Sequence, residues 1–312
     1  MVQLAEASRP EAAYRRGRLH FLERDRALGY LLIAPAVLYI ALLIGYPFVL
    51  ALWLAFTEQN LGSAGGGFVG LENFRSAWES SIFQHALRNT LQFTLASELL
   101  KLVLGTCLAF LLVGDFPGKR IIRTLIIIPW AIPIAIGVIA WRWMFDSLYS
   151  VINWVPLHLG LMSPPGPNWL GDPGLALWSV TLVNVWRGLP FSAIILMAAL
   201  TSIPQDILDA ARVDGCNALQ RYVHVVRPMV MPILFIGLIF SIVFSATDIS
   251  IVWLLTKGGP INSTHLLATF AFQTGVVSGA VSRGAAISLF LFPLLLIVAV
   301  WLLRLLKRRD IA

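Results

Sequence analysis

Polar side chains inside otherwise apolar segments are the residues of this chain that could do chemistry. Asn184 and Arg187 lie three residues apart, beside Gly188 and Pro190. A glycine and a proline so close together predict a loosened helix near the membrane midplane, where ligands are often bound. Hydrogen bonding between helices is the alternative role for such side chains. A second polar group follows later in the chain and comprises Ser245, Thr247, Asp248, Ser250 and Trp253.

An acid and a base are also placed within one apolar segment. Glu98 and Lys101 are three residues apart and would share one face of a helix. Ionisable groups at bilayer depth are costly and usually face a bundle interior or a wet cavity. We interpret them as a mutual pair that fixes helix packing, with a role toward a ligand as the alternative.

Residues 202–232, here called the cytoplasmic elbow, form a polar stretch with helix signals. Ser202 and Gln205 have the spacing of a capping box, with Pro204 in the first turn. Gly215 should end this helix, and Asn217 with Gln220 should begin a second one. Pro228 and Pro232 are expected to end the second helix. A partner bound to such an elbow could tilt the flanking segments together.

The elbow could instead be an amphipathic helix lying on the membrane surface. Asp206, Asp209 and Asp214 argue against that, because an anionic lipid leaflet repels them.

Composition places these residues in a membrane protein. The chain is 58% hydrophobic and only 12% charged, with a mean hydropathy of +0.80. Soluble domains carry roughly twice that charged fraction, so lipid must be the solvent for much of this surface. Six segments are long and apolar enough to span a bilayer. They cover about 29–54, 87–112, 124–145, 175–200, 233–256 and 284–306.

Basic residues fix the orientation and exclude nucleic acid as a partner. The net charge is +7, but most of the 23 basic residues lie in the tails and in alternate connections. That distribution is typical of cytoplasmic segments and predicts that both termini are cytoplasmic. The predicted organisation is a tail over 1–28, a six-helix domain over 29–306 and a tail over 307–312. Cys107 is expected to be buried in span two and Cys216 to be exposed on the elbow. The two cysteines and the five scattered histidines do not have the spacing of a metal site.

The segment Ile203–Gly215, which reads IPQDILDAARVDG, resembles the EAA loop of permeases of binding-protein-dependent ABC importers. The resemblance implies an all-α fold of six transmembrane helices, the type I importer permease fold, with the elbow docking on a separate ATPase. Asp209, Cys216 and Tyr222 depart from the usual Glu, Ala and Phe. The coupling residues implied are Asp206, Leu208, Asp209, Ala210, Ala211, Asp214, Gly215, Cys216, Tyr222 and Pro228.

Shorter matches extend the resemblance along the chain to the first permease of carbohydrate importers. They include Pro129–Pro133, Trp186–Phe191 and Leu255–Pro260. The resemblance implies that spans four to six contact a sugar. An acidic residue is frequent in that family at the position of Ser250, not at that of Asp248. The implied solute-pathway residues are Asn184, Arg187, Ser245, Asp248, Ser250 and Trp253.

The resemblance also implies partners and a location. These are a second related permease, an ATPase dimer that binds ATP and Mg, and an extracytoplasmic solute-binding protein, in a bacterial or archaeal inner membrane. The chain has no GxxxxGK[ST] phosphate loop, so ATP hydrolysis is expected in the separate subunit and no cofactor in this chain.

Two other functions compete with that interpretation. An ion-gradient-driven secondary transporter would use Asp248 and Glu98 as a relay, but it leaves the elbow unexplained. The other is a membrane enzyme, but the sequence has no nucleophile and base with suitable spacing.

Overall fold

The computed structural model describes residues 25–62 and 65–307, and these are helical apart from their loops. Most of the predicted N-terminal tail and residues 308–312 of the C-terminal tail lie outside the described residues. The chain divides into two compact units, residues 1–51 and 52–312.

The described part of the first unit is helical throughout. Helix α1 covers Asp25–Ile40, a π-helical turn covers Ala41–Gly45, and α2 covers Tyr46–Ala55 and enters the second unit. Its side chains between Tyr30 and Val49 are nearly all exposed, as suits a helix whose surroundings are lipid or another protein.

The second unit contains the remaining helices. On the N-terminal side these are α3 (Glu72–Glu79), α4 (Ser81–Val113), α5 (Lys119–Leu125), α6 (Ile128–Ala131), α7 (Ile134–Met144), α8 (Val151–His158) and α9 (Pro173–Thr201). The elbow and the C-terminal side hold α10 (Gln205–Val213), α11 (Ala218–Arg221), a π-turn (Tyr222–Val226), α12 (Arg227–Ala246), α13 (Ser250–Leu255), α14 (Leu267–Phe272), a second π-turn (Gln273–Val277), α15 (Val281–Leu289) and α16 (Leu291–Lys307).

Five stretches of the described chain are long and apolar enough to cross a membrane, and the number is six if a bent pair of helices counts as one span. The five are Leu28–Ala55, Ser81–Val113, Pro173–Thr201, Ala218–Leu255 and Val281–Leu306. The bent pair, Lys119–Ala131 and Ile134–Met144, turns by 93°. The structure therefore differs from the straight helix predicted over 124–145. Pro133 disfavours a helical conformation at Ile132, which is extended with ψ at 131°.

Small residues let the central helices approach closely. Gly105 of α4 faces α9, where a Cβ built on it would lie 3.0 Å from the Ser192 Cβ. Gly237 of α12 packs likewise against Ile195 of α9. Packing of this kind replaces the hydrophobic effect, which does not bring helices together in lipid.

Span two also holds the connection between spans five and six. The Asn89 amide donates to the backbone oxygens of Ser263 at 2.8 Å and His265 at 3.2 Å. Thr90 Oγ1 accepts a hydrogen bond from the Leu267 backbone at 2.8 Å. Gly258 contacts the His265 ring so closely that no Cβ would fit there.

Gly284→Ala should destabilise the fold. A Cβ on Gly284 would lie 2.6 Å from the Gly275 nitrogen and 2.9 Å from the Ala271 oxygen, which are backbone atoms that cannot rotate away. Overpacking of this kind costs about 1–3 kcal/mol. Thermal unfolding of the purified protein measures the effect. Gly45→Ala, where a Cβ meets nothing within 4 Å, is the control and should not lower the unfolding temperature. Equal unfolding temperatures would contradict the close contact.

Stability should also fall in acid because of His265. Burial lowers the pKa of its imidazole, so the folded protein favours the neutral ring. This contribution is intact above the ordinary histidine pKa of about 6.5 and is lost as the pH falls through the lowered value. Unfolding measured between pH 7.5 and pH 5 should show a smaller decline in His265→Gln. His85→Gln, at an exposed position of α4, should keep the wild-type decline. A wild-type decline in His265→Gln would exclude this residue as the cause.

Candidate functional site

A cavity of about 600 Å³ lies between α4, α6, α9 and the end of α12. Five of the six residues predicted to contact the solute line it, namely Asn184, Arg187, Ser245, Asp248 and Ser250. Lys101, Trp130, Phe244 and Thr247 complete much of the wall. The lining therefore combines aromatic faces with hydrogen-bonding and charged groups, the usual composition of a small-molecule site.

A break in span five supplies one wall of the cavity. Helix α12 ends at Ala246, and the Asp248 carboxylate accepts a hydrogen bond from the Ile251 backbone at 2.9 Å, which starts α13. Irregular backbone at membrane depth occurs where it lines a cavity, as this break does. The predicted loosening of span four at Gly188 and Pro190 is wrong, because α9 is continuous there. The interruption lies in the neighbouring helix.

The aromatic residue at the cavity is not the predicted one. Trp253 packs edge-on against Phe272, with ring centroids 5.0 Å apart, and it is not among the lining residues. Trp130, on the short helix α6, lines the cavity and is 59% exposed. Sequence reasoning missed it because it considered only spans four to six. The prolines at 129 and 133, which interrupt span three around Trp130, were the available signal.

Glu98 and Lys101 form a buried ion pair at the cavity wall. Lys101 Nζ lies 2.6 Å from Glu98 Oε1 and donates to Ser241 Oγ at 3.0 Å and Ser245 Oγ at 2.8 Å. Ser245 Oγ lies within hydrogen-bonding distance of two acceptors, Glu98 Oε1 at 2.8 Å and Asn184 Oδ1 at 3.3 Å. These five residues, here called the Lys101 cluster, join spans two, four and five. Lys101 is 3% exposed and Ser245 is 1% exposed. The hydrogen-bonding capacity of the Ser245 hydroxyl is therefore used within the cluster.

Gly188 makes room for the lysine. A Cβ at this position would lie 2.8 Å from Lys101 Cδ, so a larger residue would displace the lysine stem where it passes α9. The glycine in span four therefore serves packing against the lysine and does not serve helix flexibility.

The elbow is anchored on the bundle and exposes three aspartates. Leu208 packs on a buried cluster that includes Ile203, Leu196 and Val230. The coupling residues predicted from the sequence lie on two faces of the elbow. Ala211 is buried and Leu208 is half-buried on the inner face. The exposed ones are Asp206, Asp209, Ala210, Asp214 and Gly215. The outward face is therefore free for a partner while the inner face is fixed.

The predicted turn between the two elbow helices is confirmed. Gly215 has φ at +80°, the conformation that glycine adopts readily after a helix. The Cys216 backbone donates to the Ala211 oxygen at 3.0 Å. Asn217 and Gln220 form the predicted capping box, with hydrogen bonds of 2.8 and 2.9 Å.

Two other predictions about the elbow are wrong. Ser202 donates to the Ala199 oxygen at 2.8 Å and does not cap α10, whose N-terminal boundary is Pro204 without a side-chain cap. Helix α9 extends to Thr201, so the serine belongs to its end. Pro228 and Pro232 do not end the second helix, which continues from α11 through the π-turn into α12. A proline inside a membrane span is tolerated where a local π-helical turn or neighbouring groups compensate for the lost hydrogen bond, and the π-turn at Tyr222–Val226 directly precedes Arg227 and Pro228.

The elbow also contacts span two. Tyr222, in the π-turn, packs edge-on against Phe110 near the C-terminal end of α4, with ring centroids 5.7 Å apart. Pro228 lies exposed on the next turn. The Tyr222 ring thus joins the elbow to the helix that carries Lys101.

Residues 101–310 match the family of binding-protein-dependent transport system inner membrane components. The chain belongs to this family. The permease is 31% identical to the trehalose/maltose transport system permease protein MalF of Thermococcus litoralis. The alignment covers 88% of this chain and 91% of that relative. It is 30% identical, over 92% of each chain, to the sulfoquinovosyl glycerol transport system permease protein SmoG of Agrobacterium fabrum. These relatives confirm the predicted resemblance to carbohydrate ABC permeases.

The fold of the permease is also shared with a solved structure. The crystal structure of a bacterial ABC transporter involved in the import of the acidic polysaccharide alginate matches 92% of this chain and 97% of that one, with a TM-score of 0.78 and 19% identity. The predicted all-α, type I ABC importer permease fold is thereby confirmed.

The two cysteines of the permease differ from expectation. Cys107 was predicted to be buried in span two, but it is exposed on that helix, and Cys216 is half-buried in the elbow. Hydropathy places a residue in a span but does not say which face it occupies. Any labelling experiment on the elbow must therefore remove the Cys107 thiol first.

Lys101→Met should destabilise the permease more than Glu98→Gln/Lys101→Met does. Removing one partner leaves the other buried and unpaired, which costs about 3–5 kcal/mol, whereas replacing both removes that penalty. Thermal unfolding in lipid nanodiscs measures the difference. Arg75→Gln is the control, because the Arg75–Glu79 pair is 72% and 63% exposed and its loss should leave the unfolding temperature unchanged. Additive effects of the two cluster substitutions would argue against the pair.

Proposed function

We propose that this permease forms half of the translocation pathway for a sugar or a sugar-like solute and couples it to ATP hydrolysis in a separate subunit. The observation that carries the proposal is the connection between cavity and elbow. Spans four and five line the cavity and lead directly into the two ends of the elbow. A force on the elbow would therefore act on both helices that hold the solute.

The cavity supports a sugar-like solute by its chemistry. The Asn184 amide, the Asp248 carboxylate and the Ser250 hydroxyl offer donors and acceptors to hydroxyl groups. Trp130 and Phe244 offer apolar faces to the carbon skeleton of a pyranose. The relatives named for trehalose/maltose and sulfoquinovosyl glycerol transport agree with such a solute.

The proposal includes the partners expected from the sequence. An ATPase dimer with ATP and Mg would bind the elbow through Asp206, Asp209 and Asp214, which are exposed. A second related permease would complete the pathway, and a solute-binding protein would deliver the solute. One of the matched structures is an alginate ABC transporter in complex with a ligand-bound periplasmic protein. Both termini of the permease would lie in the cytoplasm, in agreement with the distribution of basic residues.

Cross-linking from the elbow should capture an ATP-binding subunit. The variant is Ala210→Cys in a Cys107→Ala/Cys216→Ala background, because Ala210 is exposed on the outward face. A thiol-directed photo-crosslinker is attached in native membranes, and mass spectrometry identifies the captured protein.

Leu303→Cys in the same background is the matched control. Leu303 is 51% exposed on the last span, so its crosslinker should label lipid or membrane neighbours and no ATPase. Efficient labelling at position 210 that captures only lipid would contradict coupling and would favour a secondary transporter driven by an ion gradient.

A further inference from the structure

The charged groups at the cavity differ in how far their hydrogen-bonding capacity is used. Lys101 has three oxygen partners, on Glu98, Ser241 and Ser245, for its three N–H groups. Its charge is compensated by Glu98 within the protein. Lys101 therefore shapes the wall and has no donor left for a ligand.

Asp248 is also committed, in part, to the protein. One carboxylate oxygen accepts the Ile251 backbone hydrogen bond at the start of α13. The same carboxylate attracts the Arg187 guanidinium electrostatically. No ion pair within 4.0 Å joins the two among the described residues.

Arg187 is the exception among the cavity charges. Within the described chain, its guanidinium makes no hydrogen bond, and its Nε is a buried donor without a partner. A buried donor left unpaired is unfavourable, and more so when it belongs to a charged group. Arg187 lies on the cavity wall, three residues from Asn184 on the same helix, so a ligand in the cavity can reach it.

We propose that the solute carries an anionic group, a carboxylate, sulfonate or phosphate, and that Arg187 binds it. The inference rests on the proposed function and narrows its solute to acidic sugars. A guanidinium presents a planar fork of donors that matches two oxygens of such a group. The Asn184 amide and the Ser250 hydroxyl, which also line the cavity, then bind the hydroxyl groups of the sugar.

Arg187 could instead serve only as the counter-ion of Asp248. In that case the cavity would have no preference between an acidic and a neutral sugar. The double variant Arg187→Gln/Asp248→Asn separates the two possibilities, because it removes the guanidinium fork and leaves the net charge of the cavity unchanged, and its effect is read from the ratio of the acid affinity to the glucoside affinity. Arg187→Lys keeps the charge but loses the planar fork.

The test is equilibrium dialysis of the permease, purified in nanodiscs with its co-purifying subunits and without a solute-binding protein. The probes are radiolabelled D-glucuronate, D-glucose 6-phosphate and methyl α-D-glucopyranoside. At least one acid should bind about tenfold more tightly than the neutral glucoside, as expected for a charge-assisted pair. The acid that binds more tightly distinguishes a carboxylate from a phosphate ester.

The variants should lose this preference selectively. In Arg187→Gln/Asp248→Asn the acid and the glucoside should bind with about equal affinity, even if loss of the Asp248 carboxylate weakens the binding of both, and Arg187→Lys should retain only part of the preference. Equal affinities of the wild type for acids and glucoside, no binding of either acid, or a preference that survives the double variant would overturn the inference. Dialysis needs no ATP, so a failure of coupling appears separately, in the cross-linking experiment at position 210.

Discussion

A bilayer contains no water to solvate a charge, and this constraint organises the centre of the permease. An ammonium group at membrane depth must find all its partners within the protein. Lys101 finds them on two helices, since Glu98 shares its own helix and Ser241 and Ser245 lie on α12. The cluster thereby fixes α4 against α12, and through Asn184 it reaches α9. Three of the helices that line the cavity therefore meet at the hydrogen bonds and the ion pair of Lys101.

The same constraint explains where the backbone is irregular. Unpaired backbone groups cannot face lipid, so a helix can break in the membrane only beside protein or a polar cavity. The break between α12 and α13 lies at the cavity, with the Asp248 side chain supplying the hydrogen bond that restarts the helix. Trp130, which precedes the bend of span three at Pro133, also lines the cavity. Both interruptions therefore contribute directly to the lining of the site.

Local sequence rules predicted what local chemistry controls. The apolar segments, the elbow, the turn at Gly215 and the capping box at Asn217 depend on neighbours along the chain, and the structure has them. Pro133 was a local signal for the 93° bend that the prediction of span three did not use, whereas the exposure of Cys107 and the exchange of Trp253 for Trp130 were not predictable in this way. Each depends on which face of a helix meets which other helix, and hydropathy averages over faces. Even Gly188, correctly singled out, has a role that only its contact with Lys101 reveals.

The π-turn at Tyr222–Val226 determines how far the helix rotates about its axis between the elbow and the cavity. In an α-helix each residue rotates the chain by about 100°, so one extra residue in a turn changes the direction of every side chain beyond it. The helix runs on from this turn to Ala246, and Ser241 and Ser245 face Lys101 only in the present rotation. The extra residue thus rotates the side chains of α12 relative to those that precede the π-turn. It sets how the side of α12 that faces the cavity is rotated relative to the side chains of α11 in the elbow, within one continuous helix.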